Sequence, residues 1–145
     1  MTEIVKKAFY ELGTNELFMI LKSRMQVFIV EQHCPYQDID DKDLESMHVY
    51  LKEGNDLKAY LRIFMKDEES VQMGRVLSIE RNKGYGKKIV EAGIETVYER
   101  FDVSRICIEA QTYATSFYEE FGFVVCGEEY LEDGIAHIAM VKELY

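Results

Sequence analysis

Apolar positions along the chain change their spacing several times, and each change marks an element. The opening "IVKKAFYEL" reads as a first strand with weak alternation. Thr14 or Asn15 can cap the helix that follows, with Glu16 favourably placed in its first turn. Leu17, Leu21, Arg24 and Phe28 then recur at helical spacing, with Ile20 and Val27 beside them. The stretch "QHCPYQDIDDKDLES" breaks the pattern and predicts a polar, acidic loop. Three strand candidates follow, "MHVYLK", "LKAYLRIFM" and "VQMGRVLS", joined by Gly54-Asn55-Asp56 and by "KDEES" in hairpin fashion. In the middle one, Ala59, Leu61, Ile63 and Met65 alternate with Tyr60, Arg62 and Phe64.

A second helix places Val90, Ile94, Val97 and Phe101 on one stripe. Lys87, Glu91, Glu95 and Glu99 run along its other face, at spacings that allow one Lys–Glu pair. "RICIEA" predicts a buried strand, and "TYATSFYEEF" a short helix closed by Gly122 in the C-cap position. Two last strands, "FVVCGEEY" and "IAHIAMVKEL", flank the turn-like "EDG". The predicted order is β-α-β-β-β-α-β-α-β-β, an α+β arrangement around a mixed sheet in one domain, residues 1–145.

Composition narrows the function classes. The chain has 145 residues, 48% hydrophobic and 30% charged, as in an ordinary globular protein long enough to bury a core. No apolar run approaches the roughly 20 residues that span a bilayer, and "MTEIVKKAFYELG" lacks a signal-type core. The net charge of -10 argues against a nucleic-acid partner. Cys34, Cys107 and Cys126 are odd in number and widely spaced, so a reducing, cytoplasmic setting is expected. Cys107 and Cys126 read as small buried hydrophobes.

One stretch departs from the acidic balance. "RNKGYGKKIV" gathers Arg81, Lys83, Lys87 and Lys88 around Gly84 and Gly86, just before a helical pattern. A glycine-rich turn opening a helix is a general anion site, because the first helical N–H groups lack partners and the dipole is positive there. A solvated turn with clustered cations is the alternative. The spacing fails a P-loop, and the third glycine of a dinucleotide fingerprint is absent. What remains is R-x-x-G-x-G, at Arg81, Gly84 and Gly86.

That motif resembles the acyl-CoA pyrophosphate loop of the GNAT N-acetyltransferases, Q/R-x-x-G-x-G/A. Downstream, "AQTYATSFYEEFGF" is similar to the family's A-N/Q-x-x-A-x-x-F-Y-x-x-x-G-F segment, with Ala110, Gln111, Ala114, Phe117, Tyr118, Gly122 and Phe123 in matching places. "LKSRMQVFIVEQHCPYQDIDDKD" resembles the L-x-x-R-x-x-V-F-V-V-E-Q…P-Y-x-x-x-D segment of the small ElaA-type branch. "EEYLEDGIAHIAM" resembles that branch's closing strands. Two features depart from the pattern. The connection from Arg75-Val76 to Arg81 is about two residues short and lacks the common proline, and Asn82 replaces a frequent glycine.

The resemblance implies a single GNAT domain with a central mixed, mostly antiparallel sheet flanked by helices. It implies acetyl-CoA as co-substrate, a small-molecule or peptide amine as acceptor, and direct attack on the thioester without an acetylated enzyme. It assigns the pyrophosphate to Arg81, Asn82, Lys83, Gly84, Tyr85, Gly86 and Lys87, chiefly through backbone N–H groups. It assigns the pantetheine arm to Val76, Leu77 and Ser78, with Gln111 and Tyr118 also at the cofactor. A backbone N–H near Leu77 would polarise the thioester carbonyl, and Tyr118 would protonate the departing thiolate. Tyr118 could instead simply pack beside Phe117.

Glu31 and Glu109 are the candidates for general base, against a surface or structural reading of each. His137, alternating with Ile135 and Ala139, is expected on a packed strand face. Cys34 lies beside His33, but adjacent side chains rarely meet productively, and the resemblance implies no covalent intermediate. Asp38, Asp40, Asp41, Asp43 and Glu45 fail the calcium-loop spacing, since Asp43 and Val49 stand where glycine and glutamate are needed. No metal site is expected. Those carboxylates read as a solvated loop, or as an attractor for a cationic acceptor. The competing functions are a non-catalytic acyl-CoA-binding or regulatory module and an unrelated phosphate-binding module. The acceptor, and the choice between monomer and homodimer, are not legible.

Overall fold

The structure is a computed structural model and describes residues 2–145. Strand β1 (Thr2–Ala8) leads through a 3-10 turn at Phe9–Glu11 into helix α1 (Thr14–Arg24). The N-cap is Gly13, not Thr14 or Asn15, because the Glu16 carboxylate reaches back to accept from the Gly13 N–H at 2.8 Å. α1 continues directly as a π-helical turn, Met25–Glu31. After a loop and a 3-10 turn at Asp41–Glu45 come β2 (Met47–Glu53), β3 (Asp56–Met65) and β4 (Ser70–Ser78). Helix α2 (Tyr85–Arg100), β5 (Arg105–Gln111), the short α3 (Thr115–Glu119), β6 (Val124–Val125), β7 (Tyr130–Glu132) and β8 (Ile135–Glu143) complete the chain.

The sheet runs β1-β2-β3-β4-β5-β8-β6, with β7 also paired to β8. Every pairing is antiparallel except β4–β5. The eight strands exceed the seven expected because "FVVCGEEY" is interrupted, leaving Cys126–Glu129 outside any strand. Cys126 is accordingly exposed and Cys107 only half-buried, so neither is the buried hydrophobe its context suggested. Asp133 (φ 51°) and Gly134 (φ 79°) make the tight turn between β7 and β8.

Both faces of β3 are covered. Ala59, Leu61 and Ile63 pack with Ile89, Val90 and Val97 of α2 in the larger core. Tyr60 and Leu57 pack with Ile20 and Phe28 in a second core under α1. Met65, at the strand's end, is exposed. The acidic face of α2 is tied across elements rather than within the helix. Lys6 of β1 donates to Glu95 and Glu99, at 2.9 Å each. No helix among the described residues is long and apolar enough to cross a membrane.

Candidate active site

The sheet opens at its one parallel pairing. β4 and β5 pair only through Ser70–Arg105, Val71–Ile106 and Gln72–Cys107. Beyond these, β4 stays with β3 as far as Ser78, while β5 stays with β8 as far as Gln111. A bulge drives the separation: Tyr60 faces Leu77 and Arg62 faces Gly74, so both Arg75 and Val76 lie opposite Leu61. The extra residue raises the local twist and inverts which positions face β3 and which face away. Between the separated strands lies a cleft of about 900 Å³.

The cleft collects most of the residues singled out from the sequence. Val76, Leu77, Ser78 and Arg81 line one wall, and Gln111, Tyr118 and Glu109 the other. Glu31 closes the side formed by the π-helical turn. Asn82, Lys83, Gly84, Tyr85, Gly86 and Lys87 continue from Arg81 outside the cleft lining. Tyr85 contributes only its backbone there, since its ring is in the core and its hydroxyl donates to Glu53 at 2.9 Å.

Gly84 is the N-cap of α2 at φ 78°, a left-handed conformation that glycine takes without penalty. Among the described residues, no backbone acceptor meets the N–H groups of Gly84 to Lys87; the first helical bond runs from Lys88 N to Gly84 O at 3.2 Å. Arg81, Lys83, Lys87 and Lys88 are exposed and join no ion pair among the described residues. Unpaired donors and unpaired cations therefore meet at one helix end, an arrangement suited to phosphate.

Tyr118 is held by the end of α3. The N–H of Gly122 donates to Glu119 O, and that of Phe123 to Tyr118 O, a Schellman closure with Gly122 at φ 92°. The Tyr118 ring packs edge-on to Phe117 and Phe123, with centroids at 5.2 and 5.9 Å. Its hydroxyl has no partner among the described residues and borders the cleft. Burial raises its pKa above that of a free phenol, so it keeps its proton at neutral pH.

On the same wall, the Glu109 carboxylate accepts from the Tyr130 hydroxyl, and Tyr130 stacks on His137 with centroids at 5.9 Å. His137 is half-buried and borders the cleft, not a packed face, because its ring turns to place Nδ1 2.7 Å from Ile135 O. Gln111 Nε2 donates to Gln32 Oε1 at 3.3 Å, joining β5 to the π-helical turn. The Cys34 thiol is buried and donates to Asp133 O at 3.3 Å, which occupies it in a structural contact.

The acidic loop is not solvated. Asp38 and Asp43 are buried, and Asp40 half-buried, against the guanidinium groups of Arg24, Arg62 and Arg75. Burial alone would raise the Asp43 carboxyl; the hydrogen bond and charge of Arg24, with Arg62, outweigh it and hold the group below its ordinary range. With three arginines on these three carboxylates, they have no charge left to attract a cationic acceptor. Glu45 pairs with Lys42 at 3.3 Å, and Asp41 is exposed. The readable sign was Arg24 itself, an arginine on an apolar helical stripe, which needs buried anions to meet.

A second cavity, of about 270 Å³, lies between α1 and the Ile39–Leu44 segment. Its walls are mainly Phe9, Leu17, Ile20, Leu21, Ile39 and Leu44, with Arg24 and Asp40 at its polar side, and none of the residues assigned to the cofactor or to catalysis lines it.

Comparisons with known proteins agree with this architecture. Residues 13–144 match the family model described as an acetyltransferase (GNAT) domain. A UPF0039 protein of Schizosaccharomyces pombe is 39% identical over 98% of this chain and 97% of its own. Protein ElaA of Escherichia coli is 38% identical over 92% of each chain. Its crystal structure superposes with a TM-score of 0.92, covering 99% of this chain and 100% of that one. An acyl-CoA N-acyltransferase from Pseudomonas aeruginosa, 34% identical, superposes with a TM-score of 0.90 over 98% and 99% of the two chains. The split sheet, the R-x-x-G-x-G helix start and these likenesses together make the chain a member of the GNAT acetyltransferase family, of the ElaA type.

Proposed function

We propose that residues 1–145 act as one cytoplasmic N-acetyltransferase, moving an acetyl group from acetyl-CoA to a primary amine by direct attack in a ternary complex. The observation that carries this reading is the split between β4 and β5. It leaves the free side of Val76–Ser78 and the unpartnered Tyr118 hydroxyl around one cleft, and Arg81 leads from that cleft to the N-terminus of α2. The acetyl donor is then a co-substrate whose fit is supported by N–H groups at the start of α2 that carry no acceptor among the described residues. The N–H groups from Lys83 to Lys87 would hold its pyrophosphate, with Arg81, Lys83 and Lys87 steering it in.

The bulge shifts which backbone groups of β4 face β3, and an N–H near Leu77 that faces the cleft would stabilise negative charge developing on the thioester oxygen. Tyr118 holds its proton at neutral pH and would deliver it to the departing thiolate. Glu31 and Glu109 border the cleft and would take the amine's proton, Glu109 with its orientation set by Tyr130. The acyl-CoA N-acyltransferase from Pseudomonas aeruginosa supports the choice of a CoA thioester as donor.

The test is free-thiol release from acetyl-CoA across a panel of mono-, di- and polyamines and peptides, run beside calorimetric titration with coenzyme A. Binding with amine-dependent thiol release supports the reading. Binding without turnover on any amine would instead indicate an acyl-CoA-binding module, and absence of binding would refute both.

A further inference from the structure

The segment carrying Arg24, Tyr36 and Asp40 matches the branch pattern, yet none of the three has a part in the chemistry above. All belong to one closed cluster. Arg24, fully buried, donates from Nε to Asp38 Oδ2 at 2.9 Å and from Nη1 to Asp43 Oδ1 at 2.6 Å. Arg62 Nη1 donates to Asp40 Oδ1 at 2.6 Å and to Asp43 Oδ1 at 2.9 Å. Arg75 Nη2 donates to Asp38 O at 2.9 Å, while its Nε lies 2.9 Å from Asp38 Oδ1 without hydrogen-bond alignment. Tyr36 donates to Asp38 Oδ1 at 3.0 Å, and the Arg75 guanidinium stands over its ring at 5.5 Å.

The cluster joins β4, one wall of the cleft, to the end of α1 just before the π-helical turn that closes the cleft's side. Arg75 is one of the two bulge residues, at φ 52°, a left-handed conformation that an L residue with a long side chain rarely holds without external contacts. Those contacts come from Asp38, Asp40 and Tyr36. Arg24 is the last residue of α1, immediately before the π-helical turn that ends at Glu31. The aspartates between them are thus shared by the strand that presents Val76–Ser78 and the turn that presents Glu31.

We propose that Arg75, through Asp38 and Asp40, is a positioning residue that locks the β4 bulge to the Arg24-anchored turn, so that the β4 wall and the turn closing the cleft's side keep one spacing. Its catalytic consequence rests on the acetyltransferase reading; its mechanical consequence does not.

The experiment compares the full chain with Arg75→Gly, Asp38→Asn and Arg75→Lys by hydrogen–deuterium exchange and by turnover per folded molecule. Glycine accepts the left-handed φ, so Arg75→Gly removes the anchor while the bulge remains available. Residues 73–79 and residues 25–35 are both expected to exchange roughly tenfold faster or more, the scale of losing a charge-assisted hydrogen bond. Residues 47–53 and 105–111 should be unchanged. Asp38→Asn should repeat the pattern and Arg75→Lys should recover part of the protection. kcat should fall about tenfold or more, with coenzyme A affinity weakened by less than that, because the N-terminus of α2 is untouched. Faster exchange confined to residues 73–79, no change at either segment, or unchanged kcat in an active enzyme would overturn the proposal. A chain that fails to fold with Arg75→Gly would show a purely structural residue and overturn it too. If the wild type releases no thiol from acetyl-CoA, the acetyltransferase reading fails, and the exchange data alone decide the lock.

Discussion

Arg24→Met tests whether the buried cluster holds this fold as described. Methionine keeps much of the volume and removes every polar atom. The loss is two hydrogen bonds to Asp43, at 2.6 and 3.2 Å, one to the Asp38 carboxylate at 2.9 Å, and one to Asp38 O at 2.7 Å. Removing one partner of a buried ion pair typically costs about 3–5 kcal/mol. Here the orphaned groups keep some partners. Asp43 retains Arg62 at 2.9 Å and the Asp40 N–H at 3.1 Å, and Asp38 retains Tyr36. The expected loss is therefore at the lower end, about 3 kcal/mol, or roughly 6–12 °C in Tm for a chain of this length.

The pH dependence carries the diagnostic sign. In the wild type Asp43 and Asp40 are held below their ordinary value of 3.8, so their contribution is complete above that pH. It fades as pH falls through their folded-state values. Without Arg24 the Asp43 shift shrinks, so the gap between variant and wild type should be full near neutrality and narrow below about pH 4. Urea titrations at a series of pH values measure this directly. A loss under about 1 kcal/mol at neutral pH, or a gap that does not close in acid, would refute the argument from paired burial.

Two further changes probe the site and the helix start. Tyr118→Phe should lower kcat about 100-fold or more while leaving Tm and coenzyme A affinity unchanged, because the hydroxyl has no protein partner to lose; stopped-flow thiol detection with calorimetry reads both. Glu16→Gln should cost about 2 kcal/mol near neutrality, since burial disfavours the carboxylate but donors from Gly13, Lys7 and Tyr50 outweigh it and bring its pKa to about 2. That loss should be present above pH 4.5 and vanish as pH falls from there toward 2, in denaturation curves of both proteins.

Where local chemistry decides the outcome, the sequence could be read almost to the residue. The alternation of β3, the stripe of α2 and the closing glycine at position 122 follow from side-chain period and backbone sterics, and each stands as expected. The gathering of Val76, Tyr118, Glu31 and Glu109 around one cleft was legible only through motif order, because it depends on which strands separate. Long-range pairing was the blind side. A run of aspartates looks solvated unless the arginines that meet it, at positions 24, 62 and 75, are known to converge. His137, which borders the cleft, and Tyr130, which donates to Glu109, escaped for the same reason, since both positions depend on how β7 pairs with β8.

The central claim is that the split between β4 and β5, with the N-terminus of α2, receives a CoA thioester. Backbone amide NMR of the full chain during titration with coenzyme A tests it most directly. Saturable shifts are expected at Val76–Ser78 and at Lys83–Lys87, with the apolar cavity around Leu17, Leu21 and Leu44 silent. No saturable shift, or shifts confined to that second cavity, would contradict it.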